Sequence, residues 1–142
     1  MRINEVIRRK GATVVTIAPG STVRDLLGLL REHRVGALVV SQDGQQIDGI
    51  VSERDVVRRL HTDGEAILDG PVSEIMTAEV HTCEPGTTVD ELMALMTERR
   101  FRHVPVVVDG RLAGIVSIGD VVKHRLAELQ DERDQLSSYI TR

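Results

Sequence analysis

A duplicated pattern runs through these 142 residues: Pro19-Gly20 recurs as Pro85-Gly86, 66 positions on, and the offset persists. Val23, Leu26, Leu27 and Leu30 reappear as Val89, Leu92, Met93 and Met96, and Asp43-Gly44 reappears as Asp109-Gly110. Past that turn the offset is 65, because Gly49-Ile50-Val51-Ser52 matches Gly114-Ile115-Val116-Ser117 and Asp55 matches Asp120. The single-residue change falls in a hairpin loop, where length is free to vary. A chain that carries one plan twice builds two like units. At about 50 residues neither has much core of its own, so the two are expected to pack together about a pseudo-twofold axis.

Each unit opens on a short apolar run, Val14 to Ile17 or Val80 to Cys83, that meets the Pro-Gly turn as a strand would. A helix follows, with Val23, Leu26, Leu27 and Leu30 at the spacing of one buried face and Thr22 with Asp25 as a capping box; Thr88 and Glu91 copy it. Ala37 to Val40 and Ile47 to Val51 read as a hairpin around Asp43-Gly44, and Val104 to Val108 and Leu112 to Val116 as one around Asp109-Gly110. Their near-continuous Val, Leu and Ile content suggests strands covered on both faces by helices. A last helix starts at Ser52 or Ser117, with Val56, Val57 and Leu60, or Val121 and Val122, at core spacing. Ile3 to Ile7 resembles Val72 to Met76, so a short helix is expected to lead into each unit. The expected divisions are residues 1–62 for the first unit with its lead-in helix, 63–71 for a linker, 72–123 for the second unit and 124–142 for a C-terminal helix.

Composition narrows the function. Lys plus Arg is 18 against 22 Asp plus Glu, a net charge of −4, which lacks the basic footprint that nucleic-acid binding requires. Phe101 and Tyr139 are the aromatic residues, too few for a base-stacking platform. The longest apolar runs are strand-sized, so no membrane span is expected. Cys83 has no partner for an internal disulfide and Met1 to Lys10 is charged with no apolar run behind it, so a cytoplasmic location is expected. His33, His61, His81, His103 and His124 form no zinc-type pair, and no metal site is expected. Cys83 shares a strand face with His81, but no acid is in evidence to orient a nucleophilic pair. An enzyme is not expected.

The most informative element is Gly-Ile-Val-Ser-x-x-Asp, at Gly49 to Asp55 and again at Gly114 to Asp120. Structurally, a Ser at a strand-to-helix junction with an acid three residues on is a helix N-cap. Functionally, a hydroxyl and a carboxylate at a helix start, beside a Gly that admits close approach, can bind vicinal hydroxyls such as those of ribose. The two readings are compatible. Arg102 and His103 at a strand entrance can contact phosphate; with Arg99 and Arg100 they can equally form a wet surface cluster.

With Phe101-Arg102-His103-Val104-Pro105-Val106 and the matching Val35-Gly36-Ala37-Leu38-Val39-Val40, these paired elements resemble tandem cystathionine-β-synthase (CBS) domains, over roughly residues 1–123. The resemblance implies an α+β fold of two strand-helix-strand-strand-helix units packed as a CBS domain pair, a stand-alone Bateman module. It further implies a regulator binding an adenosine-containing ligand: AMP, ADP, ATP or NAD, with S-adenosylmethionine disfavoured by a cationic phosphate end. Carried over by position, one site combines Ser52, Arg54 and Asp55 with His81, Thr82 and Cys83 and with Arg102, His103, Val104 and Pro105. The other combines Ser117 and Asp120 with Val15, Thr16 and Ile17 and with Gly36, Ala37 and Leu38. The second site lacks the cations of the first. No catalytic cofactor is implied. With no catalytic domain in the chain, output would pass through a separate protein partner.

Val122, Leu126, Leu129, Leu136 and Ile140 follow a heptad seam in which Arg133 takes one apolar place. Such a helix either packs on its own domain or pairs with a second copy, and the resemblance implies a homodimer. A dimeric scaffold that senses no ligand remains the alternative function.

Overall fold

The computed structural model describes residues 1–11 and 14–140, and mixes helices with small sheets as an α+β fold. In the first unit β1 (Thr16–Ile17) runs parallel to β2 (Ala37–Val40), which pairs antiparallel with β3 (Gly49–Ser52). In the second, β4 (His103–Val108) pairs antiparallel with β5 (Arg111–Ser117), and His103 lies opposite Ser117 as Ala37 lies opposite Ser52. The strand expected over Val80 to Cys83 reduces to one parallel bridge from Cys83 to Val106. Here the run carries His81 and Thr82, which are exposed, so only Cys83 is drawn into the core.

Helices α2 (Val23–His33) and α4 (Val89–Arg99) begin with reciprocal capping boxes, Thr22 with Asp25 and Thr88 with Glu91. Asp109 and Gly110 both have positive φ, 53° and 76°, the geometry of the two-residue turn that matches strand twist. The matching loop after β2 is longer and is organised by Asp43, whose carboxylate accepts from the Gln45 and Gln46 N–H groups and the Ser41 hydroxyl.

The last helices are α3 (Glu53–Asp63) and α5 (Ile118–Ile140). The C-terminal helix expected from residue 124 is continuous with the last helix of the second unit, since no Gly or Pro follows Gly119 to stop it. Its expected last residues, Thr141 and Arg142, lie outside the described residues. Val57 and Val122, read as core, are 67 % and 42 % exposed, and Leu27 is 38 % exposed.

The lead-in segments differ from expectation in where they pack. α1 (Ile3–Lys10) buries Ile3 and Val6 in the core of the second unit with Cys83, Val89, Leu92, Met96, Val104 and Val116. Val72 and Ile75, flanking a short 3-10 turn rather than a helix, complete the core of the first with Ile17, Val23, Leu26, Leu38 and Val51. Backbone bonds fix the exchange: the Ile3 N–H donates to Thr87 O at 2.8 Å, and Val72 N–H to Ser21 O at 2.8 Å. Each unit thus completes the other, which resolves the shortage of core in either alone.

The motif glycines permit this exchange. A Cβ on Gly49 would lie 2.6 Å from Met76 Sδ and 2.8 Å from Thr77 O, and one on Gly114 would lie 2.8 Å from Ile7 Cδ1. The close approach that the sequence suggested for a ligand is therefore made by the lead-in segments.

Candidate functional site

The strand-to-helix junction after β3 is built around Ser52. Its Oγ accepts from Asp55 N–H at 3.3 Å and donates to Asp55 Oδ2 at 3.1 Å, while Ser52 N–H donates to the same oxygen at 2.8 Å. The carboxylate is thereby fixed at the helix start, half-buried, with its other oxygen facing out of these bonds. Ser117 repeats the arrangement: its N–H donates to Asp120 Oδ2 at 2.9 Å and its Oγ accepts from Asp120 N–H at 3.1 Å. Each junction is held to the neighbouring strand entrance, Glu53 N–H to Gly36 O at 3.0 Å and Ile118 N–H to Arg102 O at 2.8 Å.

A cleft of about 500 Å³ opens between the units. Ser52, Arg54, Asp55, His81, Arg102 and His103 line it, joined by Gly36, Ala37 and Ser117 from the other predicted set. The two predicted sites therefore meet in one cleft. Thr82, Cys83, Val104 and Pro105 do not line it: Cys83 and Val104 are core residues, and Pro105 is buried with its carbonyl accepting from Cys83 N–H at 2.9 Å. Val15, Thr16, Ile17 and Leu38 also lie off the cleft, with Ile17 and Leu38 in the core of the first unit and Val15 packed against it.

Asp120 is absent from the lining as well, and a cation from α1 reaches it. Lys10 Nζ lies 2.7 Å from Asp120 Oδ2 and 2.9 Å from Ile115 O. Burial raises the Asp120 pKa, but the Lys10 ammonium and the Ser117 N–H outweigh it and hold the carboxyl below its ordinary range. His103 stands between the sets. Burial lowers its pKa, Lys10 and Arg102 add to this, and Asp120 and Glu53 oppose it.

Sequence reasoning missed several cleft residues. Arg58 lies one helical turn from Asp55 and was legible from i, i+3 spacing. Glu79, Thr77 and Val80 arrive through the exchanged lead-in and had no local signal. Phe101 also lines the wall, its ring centroid 4.8 Å from that of His81. Around the cleft the guanidinium groups of Arg54, Arg58, Arg99, Arg100 and Arg102 outnumber the carboxylates of Glu53, Asp55 and Glu79. An anionic ligand with hydroxyl donors at its other end suits that arrangement. The Cys83 thiol lies off the cleft in the second core, where burial pushes it up to about 11.

The family model described as CBS domain matches residues 3–62 and again residues 72–127. The chain belongs to the CBS-domain family. Among curated proteins, the mitochondrial CBS domain-containing protein CBSX3 of Arabidopsis thaliana is 38% identical over 97% of this chain and 71% of its own length. The crystal structure of the CBS-domain containing protein ATU1752 from Agrobacterium tumefaciens is similar at 46% identity and TM-score 0.84, covering 88% of this chain and 99% of that one. That of CBSX2 in complex with AMP is similar at 28% identity and TM-score 0.72, covering 89% and 96%. The matched family is not a catalytic one. Among the described residues no helix is long and apolar enough to cross a membrane, and no three His, Cys, Asp or Glu side chains gather to hold a metal.

Proposed function

We propose that this CBS pair is a cytoplasmic regulatory module that binds an adenine nucleotide in the cleft between its units and acts on a separate protein. Ser52 and Asp55 take the ribose hydroxyls, and Arg102 and His103, with Arg54 beside them, face the phosphates. The observation that carries this reading is the convergence on one cleft of a fixed carboxylate from the first unit and a cationic strand entrance from the second. AMP in the similar CBSX2 structure supports an adenosine ligand. AMP, ADP, ATP and NAD share the ribose contacts, so the choice among them rests with the phosphate end. A ligand bridging both units favours one relative orientation, which a partner then reads.

The test is thermal unfolding with AMP, ADP, ATP and NAD in turn. At about 100 times its Kd a ligand adds about 2.7 kcal/mol, a rise of several degrees for a chain this size. A selective rise in the wild type that disappears in Asp55→Ala is expected. A flat response to every nucleotide would move the reading to the scaffold alternative.

A specific observation also favours pairing with a second copy. Leu126, Leu129, Leu136, Tyr139 and Ile140 on α5 are 45–79 % exposed, and the equivalent Val57 and Val122 are exposed in both units. An apolar heptad seam of this kind matches a copy of itself. Light scattering at micromolar concentration is expected to give a dimer for the wild type and a monomer for Leu126→Glu combined with Leu136→Glu; a wild-type monomer would exclude the pairing.

A further inference from the structure

The two Ser-Asp junctions are alike in their internal bonds and unlike in what reaches them from outside. In the first, Asp55 Oδ2 accepts from Ser52 alone among the described residues, and Ile50 O accepts from Thr77 N–H at 2.8 Å, a backbone contact. In the second, the side chain of Lys10 bonds both corresponding acceptors, Asp120 Oδ2 at 2.7 Å and Ile115 O at 2.9 Å. A vicinal diol that donates one O–H to each oxygen of such a carboxylate would compete with the ammonium at Oδ2. Lys10 is anchored at two points and its stem is carried by α1, whose Ile3 and Val6 are fixed in the second core. The pair is only partly exposed, with side-chain accessibilities of 31% for Lys10 and 26% for Asp120.

We propose that Lys10 occupies the second hydroxyl-binding half-site, so that each chain takes one nucleoside, at Ser52 and Asp55, and admits another at Ser117 and Asp120 only when Lys10 is withdrawn. This rests on the reading of the cleft as a nucleotide site. It makes Lys10 the residue that sets stoichiometry. Anything that draws the ammonium off Asp120, a phosphate group among them, would open the second half-site.

The experiment is calorimetric titration of the full chain with AMP, with native mass spectrometry to count bound molecules. The wild type is expected to bind one AMP per chain. Lys10→Ala is expected to bind two, the second site tightening at least tenfold, and Lys10→Met, which keeps the aliphatic stem, is expected to do the same. The second AMP is expected to vanish when Asp120→Ala is added. Two AMP on the wild type, or one on both the wild type and the Lys10 variants, would overturn the proposal while leaving the nucleotide reading intact. No AMP on any of these proteins would overturn that reading and the proposal together.

Discussion

Ser52 to Asp55 and Ser117 to Asp120 are one turn built twice: in each the hydroxyl caps the helix and the carboxylate folds back onto the Ser N–H. Their surroundings come from opposite units and are not alike. The first carboxylate looks onto a cleft walled by Arg102 and His103, while the second lies off that cleft and pairs with Lys10. In a duplicated fold whose lead-in segments are exchanged, the repeated element supplies one capped junction twice, which under the proposed function is a hydroxyl-binding geometry. The non-repeated residues of the other unit then decide what each copy can hold.

The sharpest way to break this comparison is at its cationic end. Arg102→Ala is expected to weaken AMP or ATP binding by about 1.5–3 kcal/mol, the worth of a charge-assisted hydrogen bond. Unaltered affinity of Arg102→Ala in calorimetry would remove this side chain from the site.

A second contrast lies in the glycines under the lead-in segments. Gly49→Ala drives a methyl against the Thr77 carbonyl as well as Met76, and overpacking of that kind costs about 1–3 kcal/mol. Gly114→Ala meets only the end of the Ile7 side chain, which can turn aside, so its loss in urea unfolding is expected to be smaller. Equal losses would mean that the two exchanged contacts are equally rigid.

The smallest expected effect is on pH dependence. His103 has its pKa lowered by burial in the fold, with Lys10 and Arg102 adding to the effect. Its neutral ring therefore contributes stability that is fully present above the unfolded value of about 6.5 and is lost as pH falls toward the folded one. Unfolding free energy followed from about pH 8 to about pH 5 is expected to decline more steeply in the wild type than in His103→Asn. Parallel curves would show that His103 titrates alike in both states.

Much of this molecule was legible in the chain because its signals are local. The Thr22 and Thr88 capping boxes, the Asp109-Gly110 turn and the Ser caps of α3 and α5 each involve residues within a few positions of one another. The exchange of lead-ins was not legible: Ile3 to Ile7 and Val72 to Met76 look alike, and similarity cannot say which core each enters. Val57 neighbours the buried Val56 and shares its apolar character, yet one residue is about 100° round a helix, enough to turn it to the surface. Lys10 was invisible for a related reason. It stands 110 residues from Asp120, at the end of a helix whose destination only the fold reveals.

The structure of the protein crystallised with AMP tests the comparison between the two junctions most directly. The ribose hydroxyls are expected on Asp55, with the phosphate toward Arg102 and with Lys10 still seated on Asp120. Ribose on Asp120 with Lys10 displaced, while Asp55 stays empty, would contradict it.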